Sequence, residues 1–301
     1  MINHNRKDVG APPDKAVFNW YPGHMAKALR QIKEKLKTVD IVLEIRDARV
    51  PLISGNKALD ATLGNKSRLI LLNKVNLADP LMVKEWHAWF TAQGVPFIFA
   101  NCFEKNELKK VINLARKIVE GKRLECNPEM TDQKAKLRLM VIGLPNTGKS
   151  TIINQLANKS ATKVADKPGQ TQMQQWITID KDLELLDTPG VMPPNIEKEE
   201  HGLWLCAIHA IPDSIVGEEM PALFLIKHLL KAQSSDFKER YKLESFEISL
   251  DEAVVQIAKA RGCLKQKGLP DLDRVYKLIL QDFRKGELGK YCFGTPPKAT
   301  R

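Results

Sequence analysis

Apolar residues form two kinds of pattern in the first half of the chain. Continuous apolar runs predict four buried strands, at 41–48, 68–74, 96–102 and 137–142. Apolar positions three or four residues apart predict helices near 25–36, 80–92 and 107–120. Strands that alternate with helices in this way indicate βαβ units, and therefore an α/β fold with a mostly parallel sheet and helices on both faces.

The pattern changes near residue 200. Just before it, the segments WITID and LELLDT lie close together, as expected for an antiparallel edge pair or for adjacent strands of the sheet. Beyond it only helical spacing remains, with candidate helices at 198–210, 221–232, 250–261 and 271–285. We expect a flexible tail at 1–17, an α/β domain at 18–199 that contains a tether at 121–135, and a smaller all-helical domain at 200–301.

Basic residues are concentrated at the two ends of the chain. The 301 residues carry a net charge of +11, and a hydrophobic content of 43% is ample for a packed core. Residues 1–37 hold eight Lys/Arg against three Asp/Glu, and residues 259–301 hold eleven against four. Either end alone is an ordinary solvated surface, but two basic ends around a nearly neutral middle favour a polyanion partner, most simply RNA.

Cysteine spacing and hydropathy bear on the compartment. The five cysteines form no C-x-x-C pair, so neither a zinc site nor a disulfide framework is indicated. No apolar run reaches the ~18 residues that span a membrane, and the first residues lack the apolar stretch of a signal peptide. We expect a cytoplasmic protein with no membrane partner, monomeric when free.

The segment GLPNTGKST at 143–151 carries the clearest chemical signal. It fits the phosphate-binding pattern G-x-x-x-x-G-K-[ST] and lies between a predicted strand and a predicted helix, which disfavours the alternative of an ordinary glycine turn. Glycines in such a loop let backbone N–H groups and the helix N-terminus face phosphate groups. Lys149 would bind the β- and γ-phosphates, and the Ser150 hydroxyl would be a ligand of Mg²⁺. The other nucleotide-binding candidates in this loop are Asn146, Thr147, Gly148 and Thr151.

Two further motifs are candidates for sensing the γ-phosphate. DTPG at 187–190 ends an apolar strand, where Asp187 can hold Mg²⁺ through water and the Gly190 N–H can meet the γ-phosphate. Thr171 lies 21 residues after Ser150 in a polar loop, as expected of a switch threonine that binds Mg²⁺ only when the γ-phosphate is present.

Two motifs at other strand ends are candidates for reading the base. NKVN at 73–76 begins with Asn73 and Lys74, which would support and cover a purine, and backbone N–H groups at Asn101 and Cys102 would meet a base carbonyl. Taken singly, each of these motifs also fits a turn or a surface residue. Together, beside a complete phosphate loop, they favour a GTPase over an ATPase or kinase.

The order of these motifs is unusual. The base-reading strands precede the phosphate loop, whereas an ordinary GTPase places them after it. A circularly permuted chain builds the same sheet, because the termini of a compact domain tend to be close. The DTPG segment then leads almost directly into the helical domain, so a movement that depends on the γ-phosphate can reorient whatever that domain binds.

The same motifs resemble those of a known family. The order NKxx, GLPNTGKS, PGQT and DTPG, preceded by WYPGHMAKA, closely resembles the circularly permuted ribosome-assembly GTPases of the YlqF/RbgA and mitochondrial GTPase 1 group. The resemblance runs from Phe18 to about Phe293. It implies a cytoplasmic factor for late assembly of the large ribosomal subunit, with slow GTP hydrolysis stimulated by the ribosomal particle and a helical domain that contacts ribosomal RNA.

The resemblance also implies two details of catalysis. Val191 follows DTPG, and valine cannot position an attacking water as a glutamine would. The resemblance points to His24, whose neutral imidazole can orient water or accept its proton near pH 7. Asn146 matches an asparagine that supports potassium-activated hydrolysis, so K⁺ is expected beside Mg²⁺.

Asn76 departs from the family pattern NKxD. An aspartate there accepts from both guanine N1–H and the exocyclic amine, whereas the NH₂ of asparagine faces the amine donor to donor. Guanine selectivity is expected to fall by the ~1–3 kcal/mol of one unmet polar contact, with GTP still the expected nucleotide. Asp79 is close in the sequence but out of register.

The expected RNA contacts come from the basic C-terminal region. The candidates are Lys259, Arg261, Lys265, Lys267, Arg284 and Lys285. Contacts to phosphates give affinity without sequence information, and each residue alone is as readily explained by solvation. Two other interpretations of the chain stay open: a nucleotide-gated RNA-binding protein with negligible turnover, and a P-loop ATPase with relaxed base selectivity.

Overall fold

The fold is described from a computed structural model. It covers residues 22–126, 136–157, 175–188, 190–192, 196 and 198–297, without the side chains at 22–26, 58 and 175. The expected tail at 1–17 therefore lies outside the described residues, as does most of the expected tether.

A six-stranded sheet runs through the described chain. Its strands are β1 Ile41–Asp47, β2 Arg68–Asn73, β3 Phe97–Ala100, β4 Leu137–Gly143, β5 Gln175–Asp180 and β6 Leu183–Asp187. Their order in the sheet is β3-β2-β1-β4-β6-β5, and every neighbouring pair is parallel except β5 with β6. The α/β class and the antiparallel edge pair are confirmed.

Helices cover the sheet on both sides. Those in the described residues are α1 Pro22–Lys35, α2 Lys57–Leu63, α3 Pro80–Ala92, α4 Lys105–Cys126, α5 Lys149–Ala157, α6 Glu199–Ala207, α7 Asp213–Val216, α8 Glu219–Lys231, α9 Ser235–Tyr241, α10 Leu250–Ala260 and α11 Leu272–Lys285. Helix α4 extends to Cys126, so the expectation of a tether from residue 121 is wrong for its first six residues. These residues are helical but too rich in charge to show apolar spacing. Helices α2, α7 and α9 are too short to produce a repeat that sequence periodicity can detect.

Side chains along each strand point alternately to the two faces of the sheet. One face carries Leu43 and Ile45 of β1 and is covered by α4 and α5. The opposite face carries Val42 of β1 and Met140 of β4 and is covered by α1, α2 and the helices beyond residue 199. Helix α3 completes this second cover beside β2. The carboxyl ends of the parallel strands therefore meet at one edge, where the loops with the predicted motifs begin.

The helices beyond residue 199 share one apolar cluster with the sheet. Trp204 of α6 lies in the same cluster as Met140 of β4 and Leu186 of β6. The segment after α11 also returns to this cluster, because the Phe293 ring stacks on Trp204 with the ring centroids 3.5 Å apart. The helical region expected as a domain of its own is thus packed directly on the sheet.

Arg284 of α11 belongs to this packing and not to an exposed surface. Its Nε donates to the Ala207 carbonyl at 3.0 Å and its Nη2 to the Cys206 carbonyl at 2.9 Å. The guanidinium also pairs with Asp213 at 2.6 Å. We therefore correct the RNA-binding expectation for Arg284, whose donors already close the turn between α6 and α7, whereas its neighbour Lys285 is exposed.

This difference between two adjacent basic residues predicts opposite stability effects. Arg284→Ala should lower the free energy of unfolding by about 2–4 kcal/mol, because it leaves Asp213 and two carbonyls of a largely buried network without their donor. Lys285→Ala, the matched control, should change it by less than about 0.5 kcal/mol. Urea denaturation followed by circular dichroism measures both. Equal effects would contradict the assignment.

Candidate nucleotide site

The phosphate loop connects β4 to α5, and two of its glycines are required by close contacts. A Cβ atom at Gly143 would lie 2.4 Å from the Ile45 carbonyl oxygen. At Gly148, where φ is 109°, a Cβ atom would lie 2.3 Å from Nδ2 of Asn73. Neither position has room for a side chain, so the glycine spacing seen in the sequence reflects the close approach of β1 and of the last residue of β2.

Lys149 is the first residue of α5, and its side chain is folded into the loop. Nζ donates to the carbonyls of Leu144 at 2.7 Å and Gly143 at 3.3 Å, and the residue is only 9% exposed. Burial lowers the pKa of Lys149 to about 8, and the charge of Asp187 opposes that shift. An ammonium group whose charge is penalised by burial gains most from an anionic ligand, as the predicted phosphate contact requires.

Asn73, the last residue of β2, joins two loops to this strand through its side-chain amide. Nδ2 donates to the Thr147 carbonyl at 2.9 Å, and Oδ1 accepts from the Cys102 N–H at 3.1 Å. Asn73 thus links the phosphate loop to the loop after β3, and its support of a purine stays a prediction. The Cys102 N–H differs from expectation, because it is bonded to Asn73 instead of facing a base, and the neighbouring Asn101 donates its amide to Glu104 at 3.1 Å.

Lys74 lies against the edge of the phosphate loop. It has the left-handed conformation, with φ 62°, and its Nζ donates to the Asn146 carbonyl at 2.8 Å. Asn76 follows in a 3₁₀ turn, Val75–Leu77, and is exposed. Asp79 does not take the place of the missing aspartate, because its carboxylate caps α3 by accepting from the Leu81 N–H at 2.7 Å.

The segment after β6 lies directly against the phosphate loop. Thr188 is buried, with its hydroxyl donating to the Val141 carbonyl at 2.7 Å, and the Val191 N–H donates to the Gly143 carbonyl at 3.1 Å. A Cβ atom at Gly190 would lie 3.0 Å from Pro145. These contacts bring Thr188, Gly190 and Val191 to the phosphate loop, next to the buried Asp187 at the end of β6.

Ser150 and Asp187 are the described candidates for Mg²⁺. Ser150 is half-buried at the start of α5, and Asp187 is close enough to Lys149 to raise its pKa against burial. Hydroxyl and carboxylate oxygens suit this hard cation, so the two residues fit a magnesium ion. Thr171 lies outside the described residues, and of His24 the structure describes only the backbone, in the first turn of α1.

The other loop candidates have local partners. Thr147 is buried, and its hydroxyl donates to the Leu144 carbonyl at 2.9 Å, whereas Thr151 is half-buried in the first turn of α5. Asn146, the potassium candidate, is exposed with φ 57°, and its Nδ2 donates to the His209 carbonyl at 2.8 Å. Sequence reasoning did not anticipate this contact with the residues after α6, because no motif marks a backbone carbonyl.

The five RNA-binding candidates other than Arg284 lie at the surface. Lys259, Arg261, Lys265, Lys267 and Lys285 are all exposed. An open cavity of about 430 Å³ between α10 and α11 brings Arg261 together with Arg274 and Lys277. Among the described residues, no helix is long and apolar enough to cross a membrane.

The buried lysine predicts how stability depends on pH. Because burial lowers the pKa of Lys149 from 10.5 to about 8, the unfolded chain binds more protons than the folded chain between these values. Without nucleotide, the free energy of unfolding of the wild type relative to Lys149→Met should therefore rise as the pH increases through this range. At pH 7 the variant should be at least as stable as the wild type, because it does not bury a charged ammonium group.

Urea denaturation of both nucleotide-free proteins from pH 7 to 10.5 measures this difference. The variant serves as the reference because the buried cysteine thiols titrate in both proteins and cancel. A difference in stability that does not vary with pH would contradict the shifted pKa.

Comparison with known proteins matches the geometry. A family model described as a 50S ribosome-binding GTPase matches residues 138–247. Ribosome biogenesis GTPase A of Bacillus cereus is 40% identical over 280 residues, covering 93% of this chain and 94% of that protein. Mitochondrial ribosome-associated GTPase 1 of Xenopus tropicalis is 33% identical over 298 residues, covering 92% of this chain and 94% of that protein.

A solved structure extends the similarity to the fold. The crystal structure of GNP-bound YlqF from T. maritima has a TM-score of 0.60 and 31% sequence identity to this chain, covering 90% of it and 98% of the YlqF chain. Similarity over nearly the whole of both chains includes the strands that precede the phosphate loop, so the permuted order is shared. The chain belongs to the ribosome biogenesis GTPase A family.

Proposed function

We propose that this GTPase hydrolyses GTP during late assembly of the large ribosomal subunit, where it binds ribosomal RNA and is stimulated by the ribosomal particle. The observation that carries the proposal is the side-chain amide of Asn73, which bonds to Thr147 of the phosphate loop and to Cys102 after β3. One purine nucleotide can thereby have its phosphates and its base bound by loops that hold each other in place. The names of the similar proteins support the assembly role.

The proposed chemistry assigns a role to each part of the site. Lys149 neutralises charge on the β- and γ-phosphates, and the Gly190 N–H donates to the γ-phosphate. Bound Mg²⁺, held by Ser150, Asp187 and Thr171, would neutralise further charge on the same phosphates. Asn146 is the proposed K⁺ ligand.

His24 is the proposed group for the attacking water. It is an imidazole in the first turn of α1, while Val191, which follows DTPG, is apolar and buried. A neutral imidazole can orient a water molecule or accept its proton. Placing this group on an N-terminal segment lets the ribosomal particle control when hydrolysis occurs.

The proposed RNA surface lies on the C-terminal helices. Exposed cations at Arg261, Arg274 and Lys277 converge on one open cavity, and Lys265 and Lys267 lie on the adjoining turn. Such a surface binds phosphates with strong salt dependence. We also propose that the protein is cytoplasmic and that it is monomeric when it is not bound to the ribosomal particle.

Single-turnover GTP hydrolysis with and without large ribosomal subunits tests the enzymatic role. We expect the particle to raise the rate of hydrolysis. His24→Ala should lower the stimulated rate by about 10²–10⁴-fold, the usual contribution of a general base. GTP affinity should not change, because His24 is not proposed to bind the nucleotide.

Two outcomes would count against this role. The absence of stimulation would instead support a nucleotide-gated RNA-binding protein with negligible turnover. Full stimulation in His24→Ala, with Lys149→Met inactive as a control, would support the GTPase activity but reject the catalytic role of His24.

Base selectivity gives a second test, at Asn76. Xanthine carries a carbonyl where guanine carries the exocyclic amine, so the NH₂ of asparagine meets an acceptor in place of a donor. We expect Asn76→Asp to raise the preference for GTP over XTP by at least about tenfold, on the basis of ~1–3 kcal/mol per corrected polar contact.

Competition of GTP, XTP and ATP against a fluorescent GDP analogue measures this preference in both proteins. Asp79→Asn serves as a control, because it exchanges a carboxylate and an amide at a position that is not expected to contact the base. Tight ATP binding by the wild type would favour the ATPase alternative, and no change in Asn76→Asp would reject the role of residue 76.

A further inference from the structure

A buried charge cluster lies beside the proposed base site, at the end of β1. It consists of Asp47, Arg49 and Lys74, and we call it the Asp47 cluster. Oδ1 of Asp47 accepts from Nε of Arg49 at 2.9 Å and from the Arg49 N–H at 3.0 Å, while Oδ2 accepts from Nη2 at 2.8 Å. Oδ2 also lies 3.1 Å from Nζ of Lys74. The carboxylate thus has two cationic partners.

Two members of the cluster are removed from water, and Lys74 is partly exposed. Asp47 is fully buried and Arg49 is 1% exposed. Burial alone would raise the pKa of the Asp47 carboxyl, but the charges of Arg49 and Lys74 and the hydrogen bonds from Arg49 hold it below its ordinary value. The carboxylate is therefore ionised at neutral pH.

Stability alone is a poor explanation for such a cluster. Buried ion pairs seldom stabilise a fold more than apolar residues of the same volume. This cluster also carries an extra cost, since Nη1 of Arg49 is buried without a partner among the described residues. A costly arrangement that ends on a nucleotide-binding lysine suggests that it serves to position that lysine.

Lys74 is fixed by two acceptors. Its Nζ lies between Oδ2 of Asp47 at 3.1 Å and the Asn146 carbonyl at 2.8 Å. The backbone of Lys74 is left-handed, an uncommon conformation for a residue with a side chain. Holding both ends of a long flexible side chain lowers the entropy that nucleotide binding would otherwise cost.

The C-terminal region closes the cluster from the other side. The Arg49 guanidinium carbon lies 5.1 Å from the centre of the Phe283 ring, and the Arg49 carbonyl accepts from the Phe293 N–H at 2.6 Å. Sγ of Cys292 donates to the Ala48 carbonyl at 3.0 Å, and the Tyr291 N–H donates to the Leu77 carbonyl at 3.1 Å. Residues 291–293 therefore bind both the loop after β1 and the loop that carries Lys74.

We propose that Asp47 and Arg49 are positioning residues for Lys74, and that residues 291–293 together with Phe283 hold them in place, which makes the C-terminal region part of the base-binding apparatus. The inference rests on the proposed nucleotide site. Neither Asp47 nor Arg49 need touch the nucleotide, because both act through the lysine.

Dissociation of a fluorescent GDP analogue, followed by stopped flow, tests the proposal. We expect Asp47→Asn to speed dissociation by about tenfold and Lys74→Ala by at least as much. In the Lys74→Ala background, Asp47→Asn should have almost no further effect, because a residue that acts only through Lys74 has nothing left to position. Additive effects of the two substitutions, or unchanged dissociation in Asp47→Asn, would overturn the proposal.

Glu44→Gln is the matched control. Glu44 lies in the same strand, is 1% exposed, and pairs with Arg46 at 2.7 Å and Arg68 at 3.2 Å. It should lower the melting temperature about as much as Asp47→Asn without changing GDP dissociation. Faster dissociation in this control would show that lost stability alone explains the effect.

Two further variants keep the test decisive if Asp47→Asn does not fold. Arg49→Lys retains the charge but loses the two-donor geometry, and Phe283→Leu removes only the ring beside Arg49. Each should speed dissociation about threefold in the wild type and not in Lys74→Ala. If the wild type itself fails to bind GDP, the proposed nucleotide site is wrong, whereas wild-type binding with unchanged variants rejects only the positioning role.

Discussion

The side-chain amide of Asn73 is the constraint on which the site depends. It donates to the phosphate loop and accepts from the loop after β3, so that the ends of β2, β3 and β4 are held together. Gly148 must lack a side chain because Nδ2 of Asn73 occupies the space. Because parallel strands bring their carboxyl ends to one edge, the ends of three strands distant in sequence can be linked by a single amide.

Around this link the protein buries charge at a cost in stability. Lys149 is placed where burial lowers its pKa to about 8, and Asp47 is enclosed with two cations. Both arrangements are poor means of stabilising a fold but good means of fixing a charge in advance of binding. The large apolar clusters on both faces of the sheet offset this cost.

The C-terminal helices are joined to the same site by specific contacts. The His209 carbonyl accepts from Asn146 of the phosphate loop, and the backbone of residues 291–293 bonds to the loops at Arg49 and Leu77. The permuted chain order adds a covalent connection, since the segment after β6 leads within about ten residues into α6. A change at the nucleotide can therefore reach the proposed RNA surface through these hydrogen bonds and through the short chain segment between β6 and α6.

The sequence by itself determined the α/β class and the permuted order of the motifs, because glycine spacing and apolar runs follow from local backbone requirements. The family came from the resemblance of those motifs to known GTPases. It also brought Asp187 and Lys149 to one edge, since strand ends in a parallel sheet must meet there. Only the tertiary structure decided which polar groups are already used. Arg284 and Lys285 are neighbours of equal charge, yet packing against Asp213 half-buries one and leaves the other exposed. Hydrogen bonds of Cys102 and Asp47 likewise depend on partners brought together by folding, and no local pattern records them.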